Sequence, residues 1–165
     1  MRSQLTGSAE QKIRSQRWLI AAGRRLRRQG KRLVFANGCF DLLHPGHVQL
    51  LERAKRLGDV LIVAINSDRS VRTFKGRGRP IMPERDRATL LAALSSVDVV
   101  TIFDEPTPQR LIHLLEPDVL VKGSDWRLSS IVGQEAVRRR GGRVVRIPLV
   151  AGYSTTRLLK RIKHV

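Results

Sequence analysis

Short apolar runs alternate with amphipathic segments along most of the chain. Five runs are rich in Val, Ile and Leu at consecutive positions, a pattern typical of strands buried on both faces of a parallel sheet. Such strands need helices on both sides to keep the sheet out of water. The predicted strands are RLVFANG (32–38), DVLIVAINS (59–67), VDVVTIF (97–103), DVLVKG (118–123) and GRVVRIPLV (142–150).

Between the strands, apolar residues recur at the three- to four-residue spacing of amphipathic helices. One long N-terminal helix is predicted over residues 9–29, and hydroxyl residues suited to capping begin the last helix at residue 154. Residues 68–83 interrupt the alternation with glycines, prolines and cations, and are predicted to form a loop. The other predicted helices cover residues 44–58, 84–97, 107–117 and 131–141.

Repeated strand–helix alternation predicts the fold class. We expect an α/β fold with a doubly wound, five-stranded parallel sheet of Rossmann-like type, helices on both faces and right-handed crossovers. A chain of 165 residues corresponds to about one domain. We assign residues 1–30 to an N-terminal helical extension and residues 31–165 to the α/β domain.

Ligands of doubly wound sheets lie beyond the carboxyl ends of the strands, where the strand order reverses. Three segments that directly follow predicted strands have unusual composition: NGCFDLLHPGH (37–47), KGSDW (122–126) and AGYSTT (151–156). The glycine-rich segment FKGRGRP (74–80) follows a strand at a longer distance. The functional site is therefore predicted in these segments.

Two histidines lie where the first strand gives way to a helix. His44 and His47 flank Gly46, and Pro45 suits the first turn of a helix. A helix N-terminus favours anions through its unpaired N–H groups and its dipole, and imidazoles there can donate further bonds to phosphate oxygens. Gly46 leaves room for a ligand to approach the backbone.

Zinc binding is an alternative interpretation of the two histidines. Cys39 and Asp41 are close in sequence, but no second Cys or His cluster occurs at zinc spacing. His113 lies in a mainly apolar predicted helix, where packing or surface exposure explains it better than ligation. The phosphate interpretation is therefore favoured.

Charge and composition bear on the choice between nucleic acid and smaller phosphates as the ligand. Lys and Arg number 32 against 14 acidic residues, for a net charge of +18. This balance fits either nucleic acid binding or an arginine-rich surface around a site for smaller phosphates. Four Phe, two Trp and one Tyr give few platforms for stacking bases, so nucleic acid is not expected as the partner.

Sequence features also predict the compartment. No apolar run approaches the roughly 18 residues of a membrane span, and the N-terminus lacks a secretory pattern. The single cysteine, Cys39, cannot form an internal disulfide. We expect a cytoplasmic protein that does not bind membranes.

Several motifs resemble a known family. NGCFDLLHPGH resembles the first motif of the cytidylyltransferase-like nucleotidyltransferases, an H-x-G-H after a strand and a small-residue turn, and YSTTRLLKRI (153–162) resembles their second motif. The resemblance covers residues 31–163. Within the superfamily, the segments VAINSD, KGRGRP, DEPTPQRLI, LVKGSDW and STT resemble the D-glycero-β-D-manno-heptose 1-phosphate adenylyltransferases.

The resemblance implies an activity. Family members transfer AMP from ATP to D-glycero-β-D-manno-heptose 1-phosphate, giving ADP-heptose for lipopolysaccharide and pyrophosphate. It also implies Mg²⁺, held mainly by the ATP phosphates with Asp41 or Asp125 assisting. A stand-alone form without the fused sugar kinase, and a homodimer, are expected.

The resemblance implies roles for individual residues. His44 and His47 contact the triphosphate and stabilise the pentavalent transition state, while Lys75 neutralises charge between the α-phosphate and the sugar phosphate. Lys75 as a solvated loop residue is the alternative. The remaining nucleotide-binding residues are Asn37, Gly38, Cys39, Phe40, Gly46, Lys122, Gly123, Ser154, Thr155 and Thr156, and the substrate-binding residues are Asp41, Asn66, Lys75 and Asp125.

Plainer interpretations stand beside some of these roles. Asp41 could accept backbone hydrogen bonds in its own turn. Helix capping accounts for one hydroxyl of residues 154–156, but not for three in a row. Trp126 could stack on a ring or simply pack.

Three other functions are weighed. A cytidylyltransferase, such as the glycerol-3-phosphate enzyme, or an FMN-type adenylyltransferase would use the same scaffold. The stretch PLVAGYST (148–155) lacks the arginine that precedes the final motif in glycerol-3-phosphate cytidylyltransferases, which favours ATP, although the tryptophan of GSDW resembles that family. A basic nucleic-acid-binding module is the alternative from a different class.

Overall fold

The computed structural model describes residues 8–162 and contains one parallel sheet. Its strand order is β3-β2-β1-β4-β5, and every neighbouring pair is parallel. This confirms the predicted five-stranded parallel sheet. The strands are β1 Leu33–Gly38, β2 Val60–Asn66, β3 Val99–Phe103, β4 Val119–Gly123 and β5 Arg143–Ile147.

Helices cover both faces of the sheet, as predicted. One core cluster joins α3 and α5 to the first face, and a second joins α2, α6 and α7 to the other. Strands β1 to β4 are mostly buried because each face is covered, which explains their apolar sequences, whereas the edge strand β5 exposes Arg143 and Arg146. The helices are α1 Ala9–Lys12, α2 Gln16–Arg28, α3 Pro45–Lys55, α4 Asp68–Lys75, α5 Glu84–Ala93, α6 Gln109–Leu115, α7 Gln134–Arg139 and α8 Thr155–Ile162.

The prediction of one continuous helix over residues 9–29 is wrong. Between α1 and α2 the chain is extended, Ile13 forms a parallel bridge with Val100, and the N–H of Arg14 donates to the Val100 carbonyl at 2.8 Å. Ser15 then caps α2 by accepting from the N–H of Trp18 at 3.2 Å. The open edge of β3 thus offers backbone hydrogen bonds that a continuous helix could not use.

The predicted loop over residues 68–83 is also partly wrong, because its first half is α4. Ser67, assigned to the preceding strand by sequence, caps this helix by accepting from the N–H of Ser70 at 3.1 Å. Gly76 ends the helix with a φ of 85°, in the left-handed region. Only Ser70 and Val71 of α4 are buried, so the helical periodicity is too short to be seen in the sequence.

The order of the strands defines where a ligand can bind. The chain runs outwards from β1 through β2 to β3, then returns to the other side of β1 as β4. The carboxyl ends of β1 and β4, at Gly38 and Gly123, therefore flank the point where strand order reverses. Within residues 8–162, no helix combines the length and apolar character that crossing a membrane requires.

Candidate active site

A cavity of about 610 Å³ opens at this reversal point. Two turns line this cavity: the histidine turn (residues 39–47) after β1, and the hydroxyl turn (residues 154–156) at the start of α8. They are more than 100 positions apart in sequence. The structure therefore brings together every residue predicted for the site. They are Asn37, Gly38, Cys39, Phe40, Asp41, His44, Gly46, His47, Asn66, Lys75, Lys122, Gly123, Asp125, Ser154, Thr155 and Thr156.

His44 and His47 stack on each other at the start of α3. Their ring centroids are 3.8 Å apart and their planes differ by 18°. His44 precedes the helix in an extended conformation, and Pro45 occupies the first helical turn. A Cβ added at Gly46 would lie 3.0 Å from His44 Nδ1, so glycine allows the His44 ring to lie against the backbone.

Burial keeps both imidazoles neutral in the free protein. Desolvation lowers the pKa of His47 to about 4, with further contributions from nearby His44 and Lys75, while the Leu42 carbonyl opposes the shift. Burial also lowers the pKa of His44. The buried Nδ1 atoms of both rings have no hydrogen-bond partner of good geometry in the described chain. The N-terminus of α3, where both rings lie, suits an anionic ligand.

The turn that carries the histidines is held from several sides. Phe40 has a φ of 47°, which is rare for a residue with a side chain, and its ring lies 5.1 Å from that of His47. A Cβ at Gly38 would come within 3.2 Å of the Phe40 ring. The carbonyl of Cys39 accepts a hydrogen bond from Arg87 Nη1 at 2.6 Å.

Asp41 is buried and its carboxylate is engaged by protein groups. It accepts from the N–H groups of Ile81 at 2.7 Å and Met82 at 3.1 Å, and forms an ion pair with Arg79. Asp41 therefore is a structural acceptor, although for the segment before α5 rather than for its own turn. Its predicted contact with the substrate stays a prediction.

Lys75 also lines the cavity. It is the last residue of α4, not part of a loop as predicted, and its side chain is exposed. The Cys39 thiol has a pKa raised by burial, and the nearby charges of Lys75 and Arg87 oppose that shift. Lys75 thus brings a positive charge next to the histidine turn.

Lys122, at the end of β4, supplies a second cation. Its Nζ donates to the Asn37 carbonyl at 3.1 Å and lies 4.7 Å from the centroid of the Trp126 ring. Burial lowers the pKa of Lys122 to about 8, while Cys39 and Asp125 oppose the shift. Lys122 is therefore mostly protonated at pH 7, and ties β4 to β1 across the reversal point.

Amide and backbone groups complete this edge of the sheet. Asn66 Nδ2 donates to Ser70 Oγ at 3.0 Å, and the Oδ1 of Asn37 is buried without a partner among the described residues. A Cβ at Gly123 would lie 2.5 Å from Asp125 Oδ1 and 2.9 Å from Leu149 Cδ2. Glycine at this position therefore allows Asp125 to fold back over the end of β4.

The hydroxyl turn is less enclosed. Ser154 Oγ accepts from the N–H of Arg157 at 3.1 Å and caps α8. Thr155 is half-buried, Thr156 is exposed, and the Tyr153 ring centroid lies 6.3 Å from that of His44. Capping accounts for one hydroxyl, which leaves those of Thr155 and Thr156 for a ligand.

Sequence reasoning missed Arg87. Its side chain is fully buried in α5 and bonds to Cys39, Asp68 and Met82. Arginine in a charged stretch such as ERDR is more often exposed, so its composition predicts a surface residue. One signal was available: Arg87 lies four residues before Leu91, on the buried face of the helix.

The zinc alternative needs ligands beyond the two histidines. Among residues 8–162, no group of three or more His, Cys, Asp or Glu side chains is placed to hold a metal ion. Asp41 and Asp125 are the acidic side chains that line the cavity, and the protein itself engages Asp41. Metal binding at the histidine pair therefore has no support in this part of the chain.

The reversal point of this doubly wound sheet carries stacked imidazoles, two lysines and a hydroxyl turn. This arrangement is typical of α/β domains that bind ligands containing phosphate. The sequence model of the Cytidylyltransferase-like family matches residues 35–161. The chain belongs to this family, as its motifs predicted.

Individual relatives agree with this assignment. The chain is 52% identical over 153 residues to the bifunctional protein HldE of Koribacter versatilis, covering 93% of this chain and 32% of that protein. It is 56% identical over 135 residues to HldE of Nitrobacter hamburgensis, covering 82% and 28%. The chain therefore spans about a third of the length of these relatives. The family and these relatives indicate an enzyme.

A solved structure also resembles the fold. The lipopolysaccharide core biosynthesis protein from Thermoplasma volcanium superposes with a TM-score of 0.61 at 30% identity, covering 73% of this chain and 98% of that protein.

Proposed function

We propose that this chain is an adenylyltransferase that transfers AMP from ATP to D-glycero-β-D-manno-heptose 1-phosphate, giving ADP-heptose and pyrophosphate. One observation carries the proposal: the histidine turn, Lys75 and the hydroxyl turn share a single cavity at the reversal point of the sheet. Similarity to HldE and to a lipopolysaccharide core biosynthesis protein supports the choice of a sugar phosphate as acceptor.

The reaction needs no protein nucleophile. An oxygen of the sugar phosphate attacks the α-phosphorus of ATP and forms a new P–O–P bond. The bond from the α-phosphorus to the bridging oxygen of the β-phosphate breaks, and pyrophosphate leaves with that electron pair. The protein contributes alignment of the two phosphates and neutralisation of the charge on the transferring group.

The side chains divide this work. His44 and His47, at the N-terminus of α3, hold the triphosphate and stabilise charge on the α-phosphoryl oxygens. Lys75 reaches the cavity from α4 and neutralises the acceptor phosphate. Thr155 and Thr156 bind phosphate oxygens from the start of α8, whose N–H groups add further donors.

Asn37, Gly38, Lys122 and Gly123 form the floor of the nucleotide site at the ends of β1 and β4. Glycine at the end of each strand allows the nucleotide to approach the backbone. Asn66 and Asp125 face the acceptor, while Phe40 and Cys39 support the turn.

A magnesium ion bound together with ATP would neutralise part of the charge on the triphosphate. The cavity fits such an ion, because it contains lysines, imidazoles and hydroxyls for phosphates rather than a cage of acidic ligands. Asp125, which lines the cavity, would assist through the hydration shell of the ion. The enzyme works as a homodimer and supplies activated heptose for lipopolysaccharide.

The test is a panel of pyrophosphate-release assays with Mg²⁺. ATP and CTP are each combined with D-glycero-β-D-manno-heptose 1-phosphate, glycerol 3-phosphate and FMN. Release with ATP and the heptose phosphate alone is expected. His113→Ala serves as the matched control for histidine variants, because His113 is exposed on α6 and does not line this cavity.

Each other outcome has a defined meaning. Release with CTP alone overturns the choice of nucleotide and favours a cytidylyltransferase. Release with FMN would show that FMN, and not the heptose phosphate, is the acceptor. Release with no pair, together with nucleic acid binding that weakens steeply with salt, would favour the basic nucleic-acid-binding module.

A further inference from the structure

Arg87 is a charged side chain inside the protein core. Its side chain is 0% exposed, and an arginine in this position is tolerated when its charge is paired and each guanidinium nitrogen has a hydrogen-bond acceptor. Three donors are used: Nε to the Met82 carbonyl at 3.0 Å, Nη1 to the Cys39 carbonyl at 2.6 Å and Nη2 to Asp68 Oδ1 at 2.7 Å. A buried charge of this kind is costly, and its retention asks for an explanation beyond packing.

Two of the three partners of Arg87 belong to elements that line the cavity, the histidine turn and α4, and the third lies in a segment that does not line it. Cys39 is in the histidine turn. Asp68 is the first residue of α4, and Lys75 is the last. Met82 is in the segment that donates backbone N–H groups to Asp41. Neither Arg87, Asp68 nor Met82 lines the cavity itself.

α4 connects Asp68 to Lys75 as a rigid element. Eight helical residues span about 10 Å, so a displacement at the first residue is carried to the last. The start of α4 is anchored twice, because the N–H of Asp68 also donates to Glu84 Oε2 at 2.7 Å. Both anchors come from α5, which packs on the sheet through Ala88, Leu91 and Ala92.

We propose that Arg87 is a positioning residue, which holds Lys75 and the histidine turn at a set separation through its bonds to Asp68 and to the Cys39 carbonyl. Arg87 does not touch the reacting groups. It acts through Lys75 on one side and the turn of Cys39 on the other. The part of this proposal that concerns catalysis rests on the proposed function, whereas the part that concerns geometry does not.

Cys39 is a built-in probe of this geometry, because it is the one cysteine of the chain. The charged groups that act on its thiol are Lys75, Arg87 and Asp41, and the Lys122 ammonium also interacts with it. Lys75 lowers the pKa of the thiol. Moving Lys75 away should therefore shift the pH profile of Cys39 alkylation to higher pH.

The first experiment measures the midpoint of that profile with iodoacetamide on the full chain. The variants are Lys75→Ala, Asp68→Asn and the double variant, and Asp68→Asn retains the charge of Arg87. Lys75→Ala is expected to slow alkylation about threefold at pH 7.5, and Asp68→Asn about twofold. The double variant should match Lys75→Ala, since Asp68 acts through Lys75. Changes in access alone alter the rate but not the midpoint.

The second experiment uses pyrophosphate release. Asp68→Asn and Arg87→Lys are expected to lower kcat about tenfold, with the KM for ATP within about twofold. In the Lys75→Ala background, Asp68→Asn should lower kcat by less than about a further twofold. Arg85→Gln is the matched control, because Arg85 is exposed on the same helix and should leave both readouts unchanged.

Three results would overturn the proposal. One is a Cys39 midpoint that Asp68→Asn leaves at the wild-type value. Another is a double variant in which the change caused by Asp68→Asn, in kcat or in the Cys39 midpoint, adds in full to the change caused by Lys75→Ala. The third is loss of cooperative thermal unfolding in both Asp68→Asn and Arg87→Lys, which would assign the ion pair to folding alone. If no substrate pair releases pyrophosphate, the proposed function fails while the Cys39 measurement still decides the geometry.

Discussion

The two turns that meet in the cavity are held very differently. In the histidine turn, Phe40 and Asp41 are 8% and 2% exposed, and the backbone is bonded to Arg87. In the hydroxyl turn, Thr156 is exposed, and α8 contains no buried residue. The difference indicates that the two turns have different roles. A turn organised before substrate arrives stabilises the transition state and affects kcat, whereas one that gains contacts from the ligand mainly affects KM.

The largest effect is expected from His47→Ala. Loss of one preorganised group at the transferring phosphate should lower kcat about 10²- to 10³-fold, with a much smaller change in the KM for ATP. Steady-state pyrophosphate release measures this, with His113→Ala as the control. A variant that changes KM alone would contradict the assignment of the histidine turn to the transition state.

Gly46→Ala tests whether close contact within the histidine turn matters. The added methyl group would meet His44 Nδ1 at 3.0 Å and Tyr153 Cβ at 3.5 Å. A displacement of the imidazole should lower kcat about ten- to a hundredfold. Alanine has the better helix propensity by about 1 kcal/mol, so thermal stability should not fall in parallel.

Gly78→Ala is the matched control for this substitution. A Cβ at Gly78 has no neighbour within 4 Å, and this variant should retain wild-type activity. Equal losses in the two variants would show that the contact between Gly46 and His44 is unimportant.

Thr155→Val addresses the hydroxyl turn. Loss of one hydrogen bond to a charged phosphate should raise the KM for ATP about tenfold and leave kcat nearly unchanged. Thr89→Val is the control, because Thr89 is exposed on α5 and does not line the cavity. A fall in kcat with constant KM would remove the proposed distinction between the two turns.

The smallest effect concerns pH. Because the pKa of His47 is lowered to about 4 in the free protein, the ring is neutral at pH 7, and a bound triphosphate would raise this pKa. ATP binding then takes up a proton, so affinity should increase as pH falls. We expect an increase of about threefold between pH 7.5 and 6.0.

Isothermal titration in buffers of different ionisation enthalpy measures this proton uptake directly. His47→Gln removes the titrating group and corrects for protonation of ATP itself. An unchanged pH dependence in this variant would show that His47 does not bind the phosphates.

The sheet could be predicted because its signals are local. Runs such as LVFANG and VLIVAIN are apolar on both faces, and a strand buried on both sides needs no other information. Short helices and breaks between helices were harder to predict. α4 was missed because Val71 and Ser70 are its only buried residues, and the break before α2 depends on hydrogen bonds from Arg14 to a distant strand edge.

The site likewise contains residues that form recognisable motifs and residues that do not. His44, His47 and the hydroxyls of residues 154–156 stand out as motifs, and parallel topology indicates that they meet. The bonds of Arg87 and the burial of Asp41 carry no motif, because all their partners except Met82, five residues before Arg87, are 19 to 48 positions away in sequence.

The sequence by itself determined the α/β class, the family and many of the residues that line the cavity, since apolar periodicity and short motifs are properties of neighbouring positions. Only the tertiary structure decided which charges are buried, which carboxylate is already engaged and that Lys75 lies near the histidine turn. The physical reason is that desolvation and hydrogen bonding depend on groups from distant segments, and these become neighbours only when the chain is folded.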